Sequence, residues 1–163
     1  MKTLLLLRHA KTSLTDPMLS DIMRPLTYQG KKDVSIIGNI LKNKNLIPDI
    51  IICSTAKRAV ETSQLIAEYV NYHNEIHLSK VLYQTTSKDY INVISEIPDK
   101  NNIVLLVGHN PILETLVEII TNELRIMKTC SLVHIVLSIN SWVELKTQTQ
   151  GRLIELFDIK SLE

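Results

Sequence analysis

The sequence predicts a three-layer α/β/α sandwich, in one domain over residues 1–163, built on a mostly parallel sheet with an antiparallel C-terminal edge. Three short runs, residues 4–7, 50–52 and 103–107, are apolar throughout, as expected of strands covered on both faces. Segments with the helical spacing of apolar residues follow each run. Two further strands near the C-terminus have no helix between them, which favours antiparallel pairing. This alternation is typical of the α/β class.

The composition sets limits on partners and location. The chain has 163 residues, of which 45% are hydrophobic and 21% charged, and its net charge is +1. This balance gives no global attraction to nucleic acid or to an anionic membrane, and we expect neither as a partner. Cys53 and Cys130 lack metal-ligand spacing, which favours reduced thiols over a disulfide framework. No apolar run is long enough for a signal sequence or a membrane span, so we expect a cytoplasmic protein.

The first half of the chain contains two strand–helix units. The strand at residues 4–7 is followed by a polar stretch over 12–25, in which two prolines argue against a regular helix. Loops of this length are often functional. Thr27 is a predicted N-cap for a helix over 28–44, in which apolar residues recur at helical spacing.

The second strand, residues 50–52, leads into a predicted helix over 56–70. Ser54 and Thr55 form a favourable N-cap pair for this helix. Arg58 falls in its first turn, close to the end of the preceding strand. A cation in this position would face the carboxyl edge of the sheet.

The second half of the chain repeats the pattern and then departs from it. Residues 77–82 form a weakly patterned third strand, and Ser87 is a predicted cap for a short helix. After the strand at 103–107, Asn110 as N-cap and Pro111 at the first helical position predict a helix to about residue 123. The antiparallel C-terminal strands are expected at residues 131–139 and 152–159.

Several predicted strands end in side chains that suit an anion. The first ends in Arg8 and His9, the second leads to Arg58, and the fourth ends in His109. If the strands are parallel, these ends share one sheet edge, where ligands of open α/β sheets bind. Guanidinium forks, imidazoles and helix N-termini together match a phosphoryl group.

Four segments in this order resemble the histidine phosphatase superfamily, also called phosphoglycerate mutase-like, and within it the short SixA-type branch. The segments are LLLLRHAK at 4–11, RPLTYQG at 24–30, ICSTAKRAVET at 52–62 and LLVGHNP at 105–111. The resemblance implies that His9 is the nucleophile that accepts the phosphoryl group. It further implies that Arg8, Arg58 and His109 bind the phosphate oxygens, and that Arg24 adds a further phosphate contact.

One departure from the family concerns the proton donor. Larger members carry an acid shortly after the third strand, where this chain has LYQTTSKDY with no acid beside Tyr83. Asp89 is the nearest candidate, although it also suits the first turn of the predicted short helix, which it would stabilise. We include Asp89 and Ser13 among the candidate substrate-binding residues.

The sequence therefore predicts a metal-independent phosphatase, without a cofactor, that forms a phosphohistidine on His9. No P-loop lysine motif and no carboxylate cluster for Mg²⁺ is present in the sequence. The expected partner is a phosphorylated protein or a small phosphomonoester, with a histidine-phosphotransfer protein as one candidate. The alternatives are a phosphomutase of the same superfamily and a non-catalytic phosphate-binding or regulatory module. A zinc hydrolase is disfavoured because two histidines without a carboxylate or thiolate ligand make a poor zinc site.

Overall fold

A six-stranded sheet with helices on both faces forms the computed structural model, which describes residues 1–148 and 150–162. The strands are β1 (Lys2–Arg8), β2 (Ile50–Ser54), β3 (Ile76–Ser79), β4 (Ile103–Gly108), β5 (Leu132–Leu137) and β6 (Gly151–Phe157). The helices are α1 (Tyr28–Asn43), α2 (Lys57–Tyr69), α3 (Ser87–Ser95) and α4 (Ile112–Thr121).

The strand order in the sheet is β3-β2-β4-β1-β5-β6. β1 pairs in parallel with β4, β4 with β2, and β2 with β3. β5 runs antiparallel to both β1 and β6. The predicted mostly parallel sheet with an antiparallel C-terminal edge is therefore confirmed. The carboxyl ends of β1, β2 and β4 meet at one edge of the sheet.

The leucines of β1 pack on both faces of the sheet, as their all-apolar pattern predicts. Leu4 and Leu6 belong to a buried cluster with the apolar faces of α3 and α4. Leu5 and Leu7 belong to a second cluster with α1 and α2. All four are fully buried, and each such side chain contributes about 1.5–3 kcal/mol relative to an exposed one. Two helices on each face give the predicted three-layer sandwich.

The predicted N-cap residue is confirmed for α1 but not for α2. Thr27 caps α1 as predicted, because its hydroxyl oxygen accepts a hydrogen bond of 2.9 Å from the backbone N–H of Gly30. The predicted cap of α2 by Ser54 and Thr55 is wrong, since Ala56 occupies the N-cap position without a side-chain hydrogen bond. The Ser54 hydroxyl instead accepts from Ala56 N–H and contacts a histidine of the candidate site.

The N-cap residues of α3 and α4 each lie one residue away from the predicted position. The N-cap of α3 is Thr86 and not Ser87, and Thr86 forms a reciprocal capping box with Asp89. The N-cap of α4 is Pro111 and not Asn110. The Asn110 amide donates instead to the Glu114 carboxylate and to the Met127 carbonyl. A tertiary contact has therefore replaced the local cap.

Several strands are shorter than predicted. The third strand ends at Ser79 and continues as a 3₁₀ turn over residues 80–82. The last two strands are also shorter than predicted, and the link between them contains a 3₁₀ turn over 142–144, in which Trp142 is fully buried. In the part of the chain that the structure describes, no helix has the length and apolar character needed to cross a bilayer.

Candidate active site

The ring of His9 lies just beyond the carboxyl end of β1 and is mostly buried. Its backbone is held by neighbouring segments: its N–H donates to the Gly108 carbonyl at 3.2 Å, and its carbonyl accepts from Cys130 N–H at 3.0 Å. Nδ1 of the ring lies 2.8 Å from the carbonyl oxygen of Ala10. A carbonyl oxygen can only accept, so Nδ1 carries the ring hydrogen and Nε2 keeps a free lone pair.

The surroundings of His9 keep this ring neutral. The pKa of His9 is lowered to about 3, mainly by burial; the ring of His109 and the nearby charges of Arg58 and Arg8 act in the same direction, while the bond to Ala10 opposes them. At neutral pH the Nε2 lone pair is therefore available for attack on an electrophile.

His109 lies opposite His9 at the end of β4. The ring centroids are 5.3 Å apart. Nε2 of His109 is 2.7 Å from the hydroxyl oxygen of Ser54, which itself accepts from Ala56 N–H at 3.2 Å. Ser54 can donate its hydroxyl hydrogen to Nε2, and in that tautomer the ring hydrogen of neutral His109 lies on Nδ1. Burial, assisted mainly by the charge of Arg58, lowers the pKa of His109 to about 4.

The partly buried Arg8 and the buried Arg58 are each anchored by protein groups through their terminal nitrogens. Arg8 Nη1 donates to the Met127 carbonyl at 2.9 Å. Arg58 Nη1 donates to the backbone carbonyl of Asp21 at 2.8 Å, and Arg58 Nη2 to its carboxylate at 3.1 Å. Burial lowers the pKa of Arg8, and the charge of Glu114 partly offsets this effect. Both guanidinium groups are thereby fixed in orientation beside His9.

Three donors around His9 have no partner within the described residues. They are Nε of Arg8, Nε of Arg58 and Nδ1 of His109, and all three are buried. An unpaired buried donor costs about 1–3 kcal/mol, so three in one place call for a ligand. Two guanidinium donors and one imidazole donor around a free imidazole lone pair suit a tetrahedral oxyanion with an electrophilic centre.

Comparisons with known proteins give this site a family. The profile of the histidine phosphatase superfamily (branch 1) matches residues 4–85, which is half of the chain. This chain belongs to the histidine phosphatase superfamily. The matched region contains the RHA segment at the end of β1 and the start of α2 with Arg58.

Individual proteins extend the similarity over nearly the whole chain. An uncharacterised chloroplast protein of Arabidopsis thaliana is 30% identical over 153 residues, covering 88% of this chain and 70% of the relative. A structure from Agrobacterium tumefaciens, provisionally named phosphohistidine phosphatase SixA, superimposes with a TM-score of 0.82 at 26% identity, covering 96% of this chain and 97% of the other.

A structure of the protein histidine phosphatase SixA complexed with tungstate superimposes with a TM-score of 0.81 at 18% identity, covering 99% of each chain, and supports the fold. The predicted phosphoglycerate mutase-like fold, the SixA-type branch and the phosphatase class are confirmed by these likenesses together with the family match.

The other predicted site residues, Arg24, Ser13 and Asp89, form hydrogen bonds within the protein. Arg24 donates through Nε and Nη2 to Asp21, and through Nη1 to Thr12. The hydroxyl of Ser13 bonds to that of Thr15, and its backbone N–H donates to the Pro25 carbonyl. The structure thus connects Arg24 to the site through Asp21 and gives Ser13 contacts within its own loop.

The carboxylate of Asp89 accepts hydrogen bonds from the side chains of Thr85 and Thr86 and from Thr86 N–H. These bonds lower its pKa. Of the two roles that the sequence left open for Asp89, the structure provides direct contacts for the helix-capping one.

Asp21 and Ser54 are the site residues that sequence reasoning missed. The Asp21 carboxylate forms an ion pair with Arg58. The spacing of Asp21 three residues before Arg24 was the available signal, and these two side chains do pair. Within residues 1–148 and 150–162, no three or more His, Cys, Asp or Glu side chains are grouped so as to hold a metal ion.

Proposed function

We infer that this phosphatase transfers the phosphoryl group of its substrate to Nε2 of His9 and then to water. The observation that carries this proposal is the set of three unpartnered donors on Arg8, Arg58 and His109 around a neutral imidazole. Donors that are already positioned where charge develops lower the activation barrier, because they do not have to reorganise during the reaction. Such preorganisation suits the equatorial oxygens of a phosphoryl group in transfer.

In the first step, the lone pair on Nε2 of His9 attacks phosphorus. An N–P bond forms as the bond from phosphorus to the leaving group breaks, and the leaving group takes the electron pair. Nδ1 keeps its hydrogen and its bond to the Ala10 carbonyl, which holds the ring in position and accommodates the positive charge that develops. Arg8, Arg58 and His109 bind the three phosphoryl oxygens throughout.

In the second step, a water oxygen attacks the phosphorus of the phosphohistidine. The P–N bond breaks, its electron pair returns to Nε2, and the water proton passes to the phosphate product or to solvent. Splitting the hydrolysis in this way replaces one difficult displacement by two easier ones.

The substrate we propose is phosphohistidine in a protein, with small aryl phosphomonoesters as further substrates. Hydrogen bonds lower the pKa of Asp89, and the Tyr83 hydroxyl and two arginines lower that of Asp21 to about 2. Both carboxylates are therefore anions at neutral pH and make poor proton donors. A phosphohistidine that is protonated on its other ring nitrogen leaves as neutral imidazole and needs no such donor.

The proposed partner is a phosphorylated protein, for which a histidine-phosphotransfer protein is one candidate, and the proposed location is the cytoplasm. A cytoplasmic enzyme of this kind would meet phosphohistidine formed by kinases in the same compartment. Capture of one phosphorylated partner by the His9→Asn variant, in competition with free phosphate, would test this part of the proposal.

The central experiment measures turnover and phosphoenzyme formation with a phosphohistidine peptide and with p-nitrophenyl phosphate. His9→Ala should abolish both, while His73→Ala, at an exposed histidine, should behave as wild type. Arg58→Ala and His109→Ala should each reduce kcat/KM by at least ~10², the usual effect of losing one preorganised donor. Turnover should persist in EDTA. A His9→Ala variant that retains most of its turnover would remove His9 from the nucleophilic role and leave a phosphate-binding module or another mechanism.

A further inference from the structure

Asp21 presents a carboxylate beside the candidate site that neither chemical step above uses. Oδ2 accepts hydrogen bonds from the Tyr83 hydroxyl at 2.6 Å and from Arg58 Nη2 at 3.1 Å, and Oδ1 accepts from Arg24 Nη2 at 2.8 Å. The side chain of Asp21 is 52% exposed, whereas that of its partner Arg58 is 8% exposed. The carboxylate therefore lies between the buried arginine and solvent.

Asp21 lies on the solvent side of Arg58 and bonds to Tyr83, which in turn contacts His109. The hydroxyl of Tyr83 bonds to Asp21, and the Tyr83 ring stands edge-on to that of His109, with centroids 5.9 Å apart. Arg58 Cζ lies 5.9 Å from the centroid of the Tyr83 ring. In-line attack by the buried ring of His9 expels the leaving group on the opposite side of phosphorus, towards solvent. The half-exposed carboxylate of Asp21, bonded to Arg58, is therefore a candidate neighbour of the leaving group.

The groups that face Asp21 keep it charged. Those that lower its pKa are Arg24 from its own segment, Arg58 from α2 and Tyr83 from the segment after β3, and the neutral ring of His109 at the end of β4 also faces it. An anion held by two arginines and a tyrosine hydroxyl is a poor acid, but its charge still makes the local potential less positive than the two guanidinium groups alone would.

We propose that Asp21 is a specificity-determining residue that favours substrates with a positively charged leaving group and disfavours substrates that carry a second anionic group. This inference rests on the proposed phosphatase function and specifies its substrate class: the protonated ring of a phosphohistidine in preference to a phosphorylated carboxylic acid. In the favoured reaction the P–N bond breaks, its electron pair passes to the protonated ring, and the ring departs as neutral imidazole without a proton from the protein.

The test compares kcat/KM for three substrates: a phosphohistidine peptide, p-nitrophenyl phosphate and 3-phosphoglycerate. Asp21→Asn removes the charge and retains one oxygen, which can accept from Arg58 Nη2 in place of Oδ2. Relative to p-nitrophenyl phosphate, it should lower the phosphohistidine rate about fivefold and raise the phosphoglycerate rate by a similar factor, the size expected for a half-exposed charge. Asp16→Asn is the matched control, because it removes the same charge from an exposed residue that bonds to Met18 N–H within the same loop.

Ionic strength separates an electrostatic role from a structural one. Discrimination by Asp21 should decrease in the wild type as salt rises towards about 1 M, and should be nearly independent of salt in Asp21→Asn. Equal changes for all three substrates, or discrimination that salt does not alter, would show that Asp21 only holds Arg58 and would overturn the proposal. If Asp21→Asn fails to fold, the salt dependence of the wild type decides. A wild type that hydrolyses none of the substrates would refute the proposed function itself.

Discussion

The burial of His9 has a consequence for the stability of the folded protein, which the His9→Asn substitution isolates. Asparagine places an amide N–H close to the position of Nδ1, so it can still donate to the Ala10 carbonyl, but it does not titrate. In the wild type, burial holds the pKa of His9 at about 3, against 6.5 for an ordinary histidine. The unfolded chain therefore binds a proton between these two values and the folded chain does not.

The sign and size of the effect follow from this difference. Where the unfolded state binds more protons, the free energy of unfolding falls as pH falls. For His9 the loss begins near pH 6.5 and continues down to about 3, where the folded protein also becomes protonated. Between pH 7 and pH 5 it amounts to about 2 kcal/mol. Asp21, whose pKa is lowered to about 2 from 3.8, contributes mainly below this window.

The assay is urea unfolding at pH 7 and pH 5, followed by the fluorescence of Trp142. This residue is the single tryptophan of the chain and is fully buried. Buffers must contain no phosphate, because an anion bound to Arg8 and Arg58 would favour the protonated imidazoles. His9→Asn should lose about 2 kcal/mol less than wild type between the two pH values. His73→Asn, at an exposed position, should lose as much as wild type. Equal losses in His9→Asn and wild type would refute the claim that burial keeps His9 neutral.

Three further substitutions test packing and orientation. Leu6→Ala should lower the free energy of unfolding by about 2–5 kcal/mol in urea titrations, because Leu6 is fully buried; Leu14→Ala, 77% exposed, should change it by less than about 0.5 kcal/mol. Gly108→Ala would place a Cβ 2.5 Å from the Tyr90 hydroxyl. It should cost about 1–3 kcal/mol in the same titration and reduce turnover, and a variant of wild-type stability would contradict this packing. Ser54→Ala leaves Nε2 of His109 without a partner and should reduce kcat/KM for p-nitrophenyl phosphate about tenfold without unfolding the protein.

The central strands and their chemistry could be predicted from the sequence because local signals and tertiary structure agree there. The four leucines of β1 need cover on both faces, and only a strand in the middle of a layered sheet provides it. A parallel sheet then places the residues after β1, β2 and β4 at one edge. This single topological rule brings His9 and His109 to 5.3 Å between ring centroids.

The sequence did not predict features that depend on contacts between distant segments. Ser54 is a favourable helix cap by propensity, yet its hydroxyl bonds to His109 on a neighbouring strand. Asn110 is likewise drawn away from capping by Glu114 and Met127. The pairing of Asp21 with Arg58 depends on how the loop before α1 folds over α2, and local pattern carries no information about that path.

The central place of β1 in the sheet determines when the reactive centre can form during synthesis. Both neighbours of β1 come from far along the chain, β4 on one side and β5 on the other. Arg8 is anchored by Met127, 119 positions later, and His9 is held between Gly108 and Cys130. When the RHA segment has just been synthesised, the later segments that hold it in place do not yet exist. The long loops between them and β1 are also slow to close. The reactive centre around Arg8 and His9 can therefore form only after most of β5 has been synthesised, although these residues are among the first to be translated.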